Sequence, residues 1–163
     1  MDNLKSVHWP KSQVPQLETY GERWAREVQE RRATEFFNAY VTAALWSSND
    51  ESTPAGGEPL DSNYTATDLA PETAAAMRAD CEKFQAECAL QLAEDHRTPA
   101  RAAYGYTVEK SAGHDFWLTR NGHGAGFWDG DWVEPAAAIL TAASHTFGEF
   151  NLYIGDDGQI WGE

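Results

Sequence analysis

Between residues 16 and 48 the apolar side chains recur every three or four positions. This run, more than any other, limits what the chain can fold into. Leu17, Tyr20, Trp24 and Val28 lead into Phe36, Tyr40 and Ala44, with Phe37, Val41 and Leu45 alongside. Such spacing is the signature of a helix with one apolar face. It predicts a helix over 16–48, single or as two in line, with a bend or exposed middle at Arg31-Arg32, where the stripe lapses. A second helix is expected over 68–95. Pro71 suits its first turn, and Met77, Cys81, Phe84, Cys88 and Leu92 make one face. Cys81 and Cys88 are then ~10.5 Å apart along the axis, beyond the reach of a disulfide. They read as small buried hydrophobes. Residues 1–15, with Pro10 and Pro15 and no period, read as an extended arm. Residues 47–67 are acidic, aperiodic and interrupted by Pro and Gly, and read as a long surface loop.

The second half carries turn chemistry. Thr98-Pro99 marks the start of one or two short helical turns, and Gly113 their stop. A helix is expected over 131–148, started by Asp131 or Glu134 and Pro135 and ended by Gly148. Its core face would be Ala136, Ile139, Leu140, Ala143 and Phe147. Phe150, Leu152 and Ile154 alternate with Asn151 and Tyr153, and Asp157-Gly158 is a two-residue hairpin signal. The C-terminal half therefore reads as a ββαββ antiparallel unit. The whole chain of 163 residues reads as one α+β domain.

The first ββ pair of that unit is GHDFWLTRNGHGAGFWD, residues 113–129. Asn121-Gly122 suits a type I′ turn, which needs positive φ at both central residues. In that register Arg120 faces His123, Leu118 faces Ala125, Phe116 faces Phe127 and His114 faces Asp129. Trp117 lies over Gly126 on the other face, beside the Asp115/Trp128 pair. The face with Phe116, Leu118 and Phe127 is expected to be buried. His114 and His123 fall too far apart along the strands for one catalytic centre. Two pairs remain as candidates: His114 with Asp129 as base and orienter or as a register-pinning ion pair, and Arg120, Asn121 and His123 at an exposed tip suited to an anion or a partner. Trp117 and Trp128 complete the candidate binding residues. No catalytic residue is assigned. The glycines at 122, 124 and 126 also fit an anion-holding loop, but no dinucleotide or P-loop pattern surrounds them.

Other chemistry is missing from the pattern. There is no CxxC or zinc spacing, no metal or cofactor motif, and GDDG (155–158) is too short for a calcium loop. Ser144 and His145 are helix neighbours pointing different ways. The chain has a formal net charge of −14. Residues 1–46 are balanced, with a local basic group at Arg23, Arg26, Arg31 and Arg32, and the acid lies in the rest. That sign disfavours direct binding to nucleic acid. It suits a basic protein partner or imitation of nucleic acid. Asp80, Glu87 and Glu94 align at seven-residue steps and read as a solvated face. No apolar run is long enough to span a membrane, and the N-terminus lacks the apolar core of a signal peptide.

The block GHDFWLTRNGHGAGFWD, with AALWSS (43–48), GEPLD (57–61) and LYIGDDGQIW (152–161), resembles segments of small acidic proteins from bacteriophages and related mobile elements. Such proteins have no established activity. The resemblance implies expression in a bacterial cytoplasm and action on host machinery. The leading expectation is a non-enzymatic phage accessory protein that binds or inhibits a host or phage protein, with imitation of nucleic acid as one way to do so. The alternatives are a small enzyme or an anion- or nucleotide-binding module centred on 114–129, and a virion or assembly component. No cofactor is implied.

Overall fold

The computed structural model describes residues 18–52, 54 and 56–163. The expected N-terminal arm lies outside these residues. The fold is mostly helical, with two small antiparallel strand pairs. In order, α1 spans Tyr20–Ser47, β1 Asn49–Asp50, β2 Glu58–Pro59, α2 Pro71–Glu87, α3 Ala89–Leu92, α4 Pro99–Ala102, α5 Val108–Arg120, α6 Ala136–His145, β3 Leu152–Ile154 and β4 Ile160–Gly162.

The periodic stripe of the N-terminal half forms one unbroken helix. Thr19 and Glu22 make a reciprocal capping box at its start, which satisfies two N–H groups the helix cannot. The helix runs unbroken through Arg31-Arg32, where Arg31 is exposed. Arg32 donates through Nη2 to the Leu92 carbonyl at 3.1 Å and through Nε to Glu109. The stripe splits by burial, however. Phe36, Tyr40, Val41 and Ala44 are buried, whereas Tyr20 and Trp24 are exposed. Tyr20–Glu27 is exposed on every side. The second expected helix is also present, but divides at Cys88, whose φ of −102° and ψ of 19° leave the helical region. Both cysteines are free and buried. Burial pushes the Cys88 thiol up to about 11.

The largest correction concerns residues 113–129. No hairpin forms there, and the C-terminal half is not a ββαββ unit. Val108–Arg120 is helix α5, the most enclosed element of the fold, with Ser111, Ala112, Gly113 and Asp115–Arg120 all buried. The Asn-Gly pair ends this helix instead of turning a hairpin. Asn121 is its C-cap, with φ of −95°, and Gly122 follows with φ of +65°. The His123 N–H bonds the Leu118 carbonyl at 3.0 Å and the Gly122 N–H bonds the Thr119 carbonyl at 3.3 Å. These are the two bonds of a Schellman cap. Hairpin and cap both need positive φ at the glycine; a type I′ turn also needs it at the asparagine, and Asn121 does not supply it.

Phe116, Leu118 and Phe127 are buried as expected, but not as a sheet face, and Trp117 is buried too. Phe116 stacks on Phe84 at 4.1 Å, and Phe84 stacks on Phe127 at 5.8 Å. An aromatic layer on α2 therefore joins the two phenylalanines that the hairpin would have paired directly. Gly113 does not stop a helix. It lies inside α5 where that helix crosses α1, and a Cβ there would stand 2.1 Å from the Phe36 carbonyl oxygen.

Further elements match more closely. Thr98 caps α4, with Pro99 in its first turn. The helix expected over 131–148 is α6, shorter at both ends, and Ile139 is exposed rather than in the core. β3 and β4 form the C-terminal hairpin, with Tyr153 opposite Trp161 and Gly158 at positive φ in the turn. The loop expected over 47–67 contains β1, β2 and two 3₁₀ turns, and Leu60 within it is fully buried.

Arg97 binds Asp95 through Nε at 2.8 Å and Nη2 at 2.6 Å, and Nη1 reaches the Tyr106 and Thr107 carbonyls and Ser111 Oγ. This hydrogen bonding holds the Asp95 carboxyl below its ordinary 3.8. A carboxyl lowered by folding adds stability above its unfolded value, and that stability is lost as pH falls through the folded value. Asp95→Asn is therefore expected to be less stable than the wild type at neutral pH. Urea melts should show the gap closing as pH drops from ~5 toward ~2. A gap of constant size would refute the linkage.

Candidate functional site

The α5 cap places one sequence-predicted residue directly on a strand edge. Asn121 Nδ2 donates to the Trp117 carbonyl at 3.0 Å, and its Oδ1 accepts from the Phe150 N–H at 2.8 Å. Phe150 lies just before β3. In the β3–β4 pair, Asn151 and Glu163 exchange both backbone bonds, and Tyr153 faces Trp161. Antiparallel alternation then turns the N–H and C=O groups of Phe150, Leu152 and Ile154 away from β4. Asn121 fills the first of these outward positions. Leu152 and Ile154 have no backbone partner on that side among the described residues. The other edge of the sheet is covered, because the Ala70 N–H bonds the Ile160 carbonyl at 2.9 Å.

The open edge of β3 borders a cleft of about 560 Å³. Its opposite wall is Ser47–Asn49, Glu51 and Ser52, at the end of α1 and along β1. In β1 the Leu60 N–H bonds the Ser48 carbonyl and Asn49 faces Pro59. The backbone polar groups of Asn49 therefore point away from β2. No ladder joins β1 to β3. Trp117 and His123 line the cleft as well. Trp117 is fixed by donation from Nε1 to Ser47 Oγ at 2.9 Å. Glu51, Glu149 and Glu163 line it from three separate segments, and all three are exposed. A cleft with open strand backbone and three carboxylates can take an extended segment with basic side chains.

Thus the structure brings together three of the expected residues, Trp117, Asn121 and His123. It does not bring in the others. Arg120 is not at an exposed tip. Its side chain is 2 % exposed and it binds Asp80 Oδ2 at 2.8 Å, Tyr40 Oη at 2.7 Å and the Gly148 and Phe147 carbonyls. It clasps α1, α2, α5 and the chain after α6. This also dissolves the acidic row on the second helix, since Asp80 turns to Arg120 and the helix breaks before Glu94. His114 and Asp129 do not pair. Asp129 accepts from the Gly126 and Asp131 N–H groups within its own loop, and Trp128 is exposed beside it.

His114 pairs with its neighbour Asp115, Nδ1 to Oδ1 at 2.8 Å. Asp115 is buried and also accepts from Trp132 Nε1 at 2.7 Å. The histidine borders a separate groove between α1, α4 and α5. Sequence reading missed its neighbour Arg101, and it missed Leu152 and Ile154 as edge residues. Nothing local distinguishes them, because an open strand edge is a property of pairing, not of residue type.

Among the described residues, no three His, Cys, Asp or Glu side chains cluster as a metal site, and no helix is long and apolar enough to cross a membrane. No protein-family model matches the chain, and no curated protein or solved structure shows significant similarity to it.

Proposed function

We propose that the protein is a non-enzymatic accessory protein, of the phage type its sequence blocks resemble, that binds a host or phage protein. The binding element is the open edge of β3. The observation that carries this reading is the pair of edge positions at Leu152 and Ile154, without a backbone partner on that side among the described residues, bordering a cleft with Glu51, Glu149 and Glu163. An extended segment can add to such an edge through its backbone, with alternate side chains entering the cleft. Basic side chains on that segment would meet the carboxylates, and the net charge of −14 would speed the encounter.

A fluorescent hexapeptide alternating Val and Lys tests the reading by anisotropy, against its Val/Glu counterpart. The basic peptide is expected to bind in a salt-sensitive manner and the acidic one not at all. Changing Glu51, Glu149 and Glu163 together to Gln is expected to weaken binding by about tenfold, ~1.4 kcal/mol. Bound peptide should also slow hydrogen exchange of the Leu152 and Ile154 amides. Equal binding of both peptides, or unchanged exchange at those amides, would remove the proposal.

A further inference from the structure

Three arginines are largely enclosed by the fold, and one of them stands apart. Arg97 makes five side-chain hydrogen bonds and Arg120 makes four. The Arg101 side chain is 16 % exposed, yet its buried Nε has no hydrogen-bond partner among the described residues. Two carboxylates flank the guanidinium without closing on it. Asp131 Oδ2 is 3.4 Å from Nε but poorly aligned, and Asp115 Oδ1 is 3.7 Å from Nη2. The Nε–H is drawn out of water without an aligned acceptor, a costly state for a buried donor, and the four Nη donors of the same guanidinium are what an acceptor in the groove would meet.

The surroundings say what those acceptors are. Arg101 lines a groove of about 490 Å³ with Glu35, Ala39, Tyr106, Lys110 and His114. This volume lies within the ~300–1,000 Å³ typical of small-molecule sites. Residues 101–163 contain three basic residues, Arg101, Lys110 and Arg120. Two of them line this groove. Lys110 Nζ sits 4.2 Å from the centre of the Tyr106 ring. His114 is held in place twice: Nδ1 is engaged by Asp115, and the ring stacks on Trp46 at 6.0 Å. Its Nε2 is left as the ring's other polar atom. Ala39 and the Tyr106 ring give apolar wall for the body of a ligand.

We propose that this groove binds a small organic oxyanion, a carboxylate or a phosphate monoester. The planar donor fork of Arg101 matches either head group. Lys110 adds charge at the groove, and His114 Nε2 takes a hydroxyl or a protonated oxygen of the ligand. The site is separate from the β3 cleft and does not depend on peptide binding there.

Phenyl phosphate and benzoate serve as probes in a ¹⁵N-resolved NMR titration of the wild-type protein, with benzyl alcohol as the uncharged control. Saturable shifts are expected at the amides of Asn38–Thr42, Arg101 and Lys110–His114 at roughly millimolar concentration. Whichever probe binds more tightly identifies the head group, and benzyl alcohol should leave these amides unmoved. Arg101→Met is expected to weaken binding by about tenfold or more. Lys110→Met, an exposed change that leaves Arg101 and its neighbours in place, should weaken it severalfold, and it decides the matter if Arg101→Met does not fold. Absence of saturable shifts with both anions, or equal affinity in the folded variants, would overturn the proposal.

Discussion

Replacing Gly113 with alanine is expected to destabilise the protein by at least ~3 kcal/mol, enough to unfold much of it. In an exposed helix the same change is worth ~1 kcal/mol in the opposite direction, because alanine is the better helix former. Here the added Cβ would stand 2.1 Å from the Phe36 carbonyl oxygen and 2.9 Å from its carbonyl carbon. Both are backbone atoms of α1, so no side chain can rotate aside. Relief requires α5 to withdraw from α1, along the most extensive helix contact in the fold. Gly124 supplies the control. Nothing lies within 4 Å of a Cβ there, and Gly124→Ala should change stability by less than ~0.5 kcal/mol. Urea unfolding of the two variants checks both numbers, and similar values for them would show that the helix crossing yields.

Arg120→Met is expected to lower stability by ~3–5 kcal/mol. The loss comes less from the arginine than from what it leaves behind. Asp80 would keep its charge without its 2.8 Å partner, and the Tyr40 hydroxyl and two carbonyls would lose their donor. Burial pushes the Tyr40 phenol upward from its ordinary value, so it stays a neutral hydroxyl that has lost its charged partner. Removing Asp80 as well should recover part of the loss, since a charge pair with one buried and one half-buried member is less harmful replaced as a pair than halved. A double variant Arg120→Met/Asp80→Leu no more stable than the single one would show that Asp80 finds water instead.

The contrast between α1 and α5 shows how far the sequence could be read. In α1 an exposed stripe of Asn38, Thr42 and Trp46 runs along the packed half, so Phe36, Tyr40 and Ala44 recur at the helical period and declare the helix. In α5 neighbours lie on nearly all sides, and Phe116, Trp117 and Leu118 are buried in succession. A helix enclosed all round has no polar face to mark its period. Phe116 and Leu118 with Trp117 between them then look like a strand, and Asn121-Gly122 looks like its turn. The C-terminal hairpin was legible because its alternation and its Asp157-Gly158 turn agree. For the β3 cleft, Trp117, Asn121 and His123 were readable as polar and aromatic residues near a glycine. Their partners at 47–52 and 149–154 were not, because they meet them only through the tertiary fold.

The exposed first turns of α1 have a consequence for how this protein can change over time. From Tyr20 to Glu27 the helix rests on its capping box and on ion pairs such as Arg26 with Glu18 and Glu30, not on the core. Surface substitutions away from special features are close to neutral, so this stretch is open to drift that Phe36–Leu45 is not. Its residues can be rewritten, or acquire a new binding preference, while the packed half of the same helix goes on holding the fold unchanged. One continuous helix thus contains a conservative end and an inventive one.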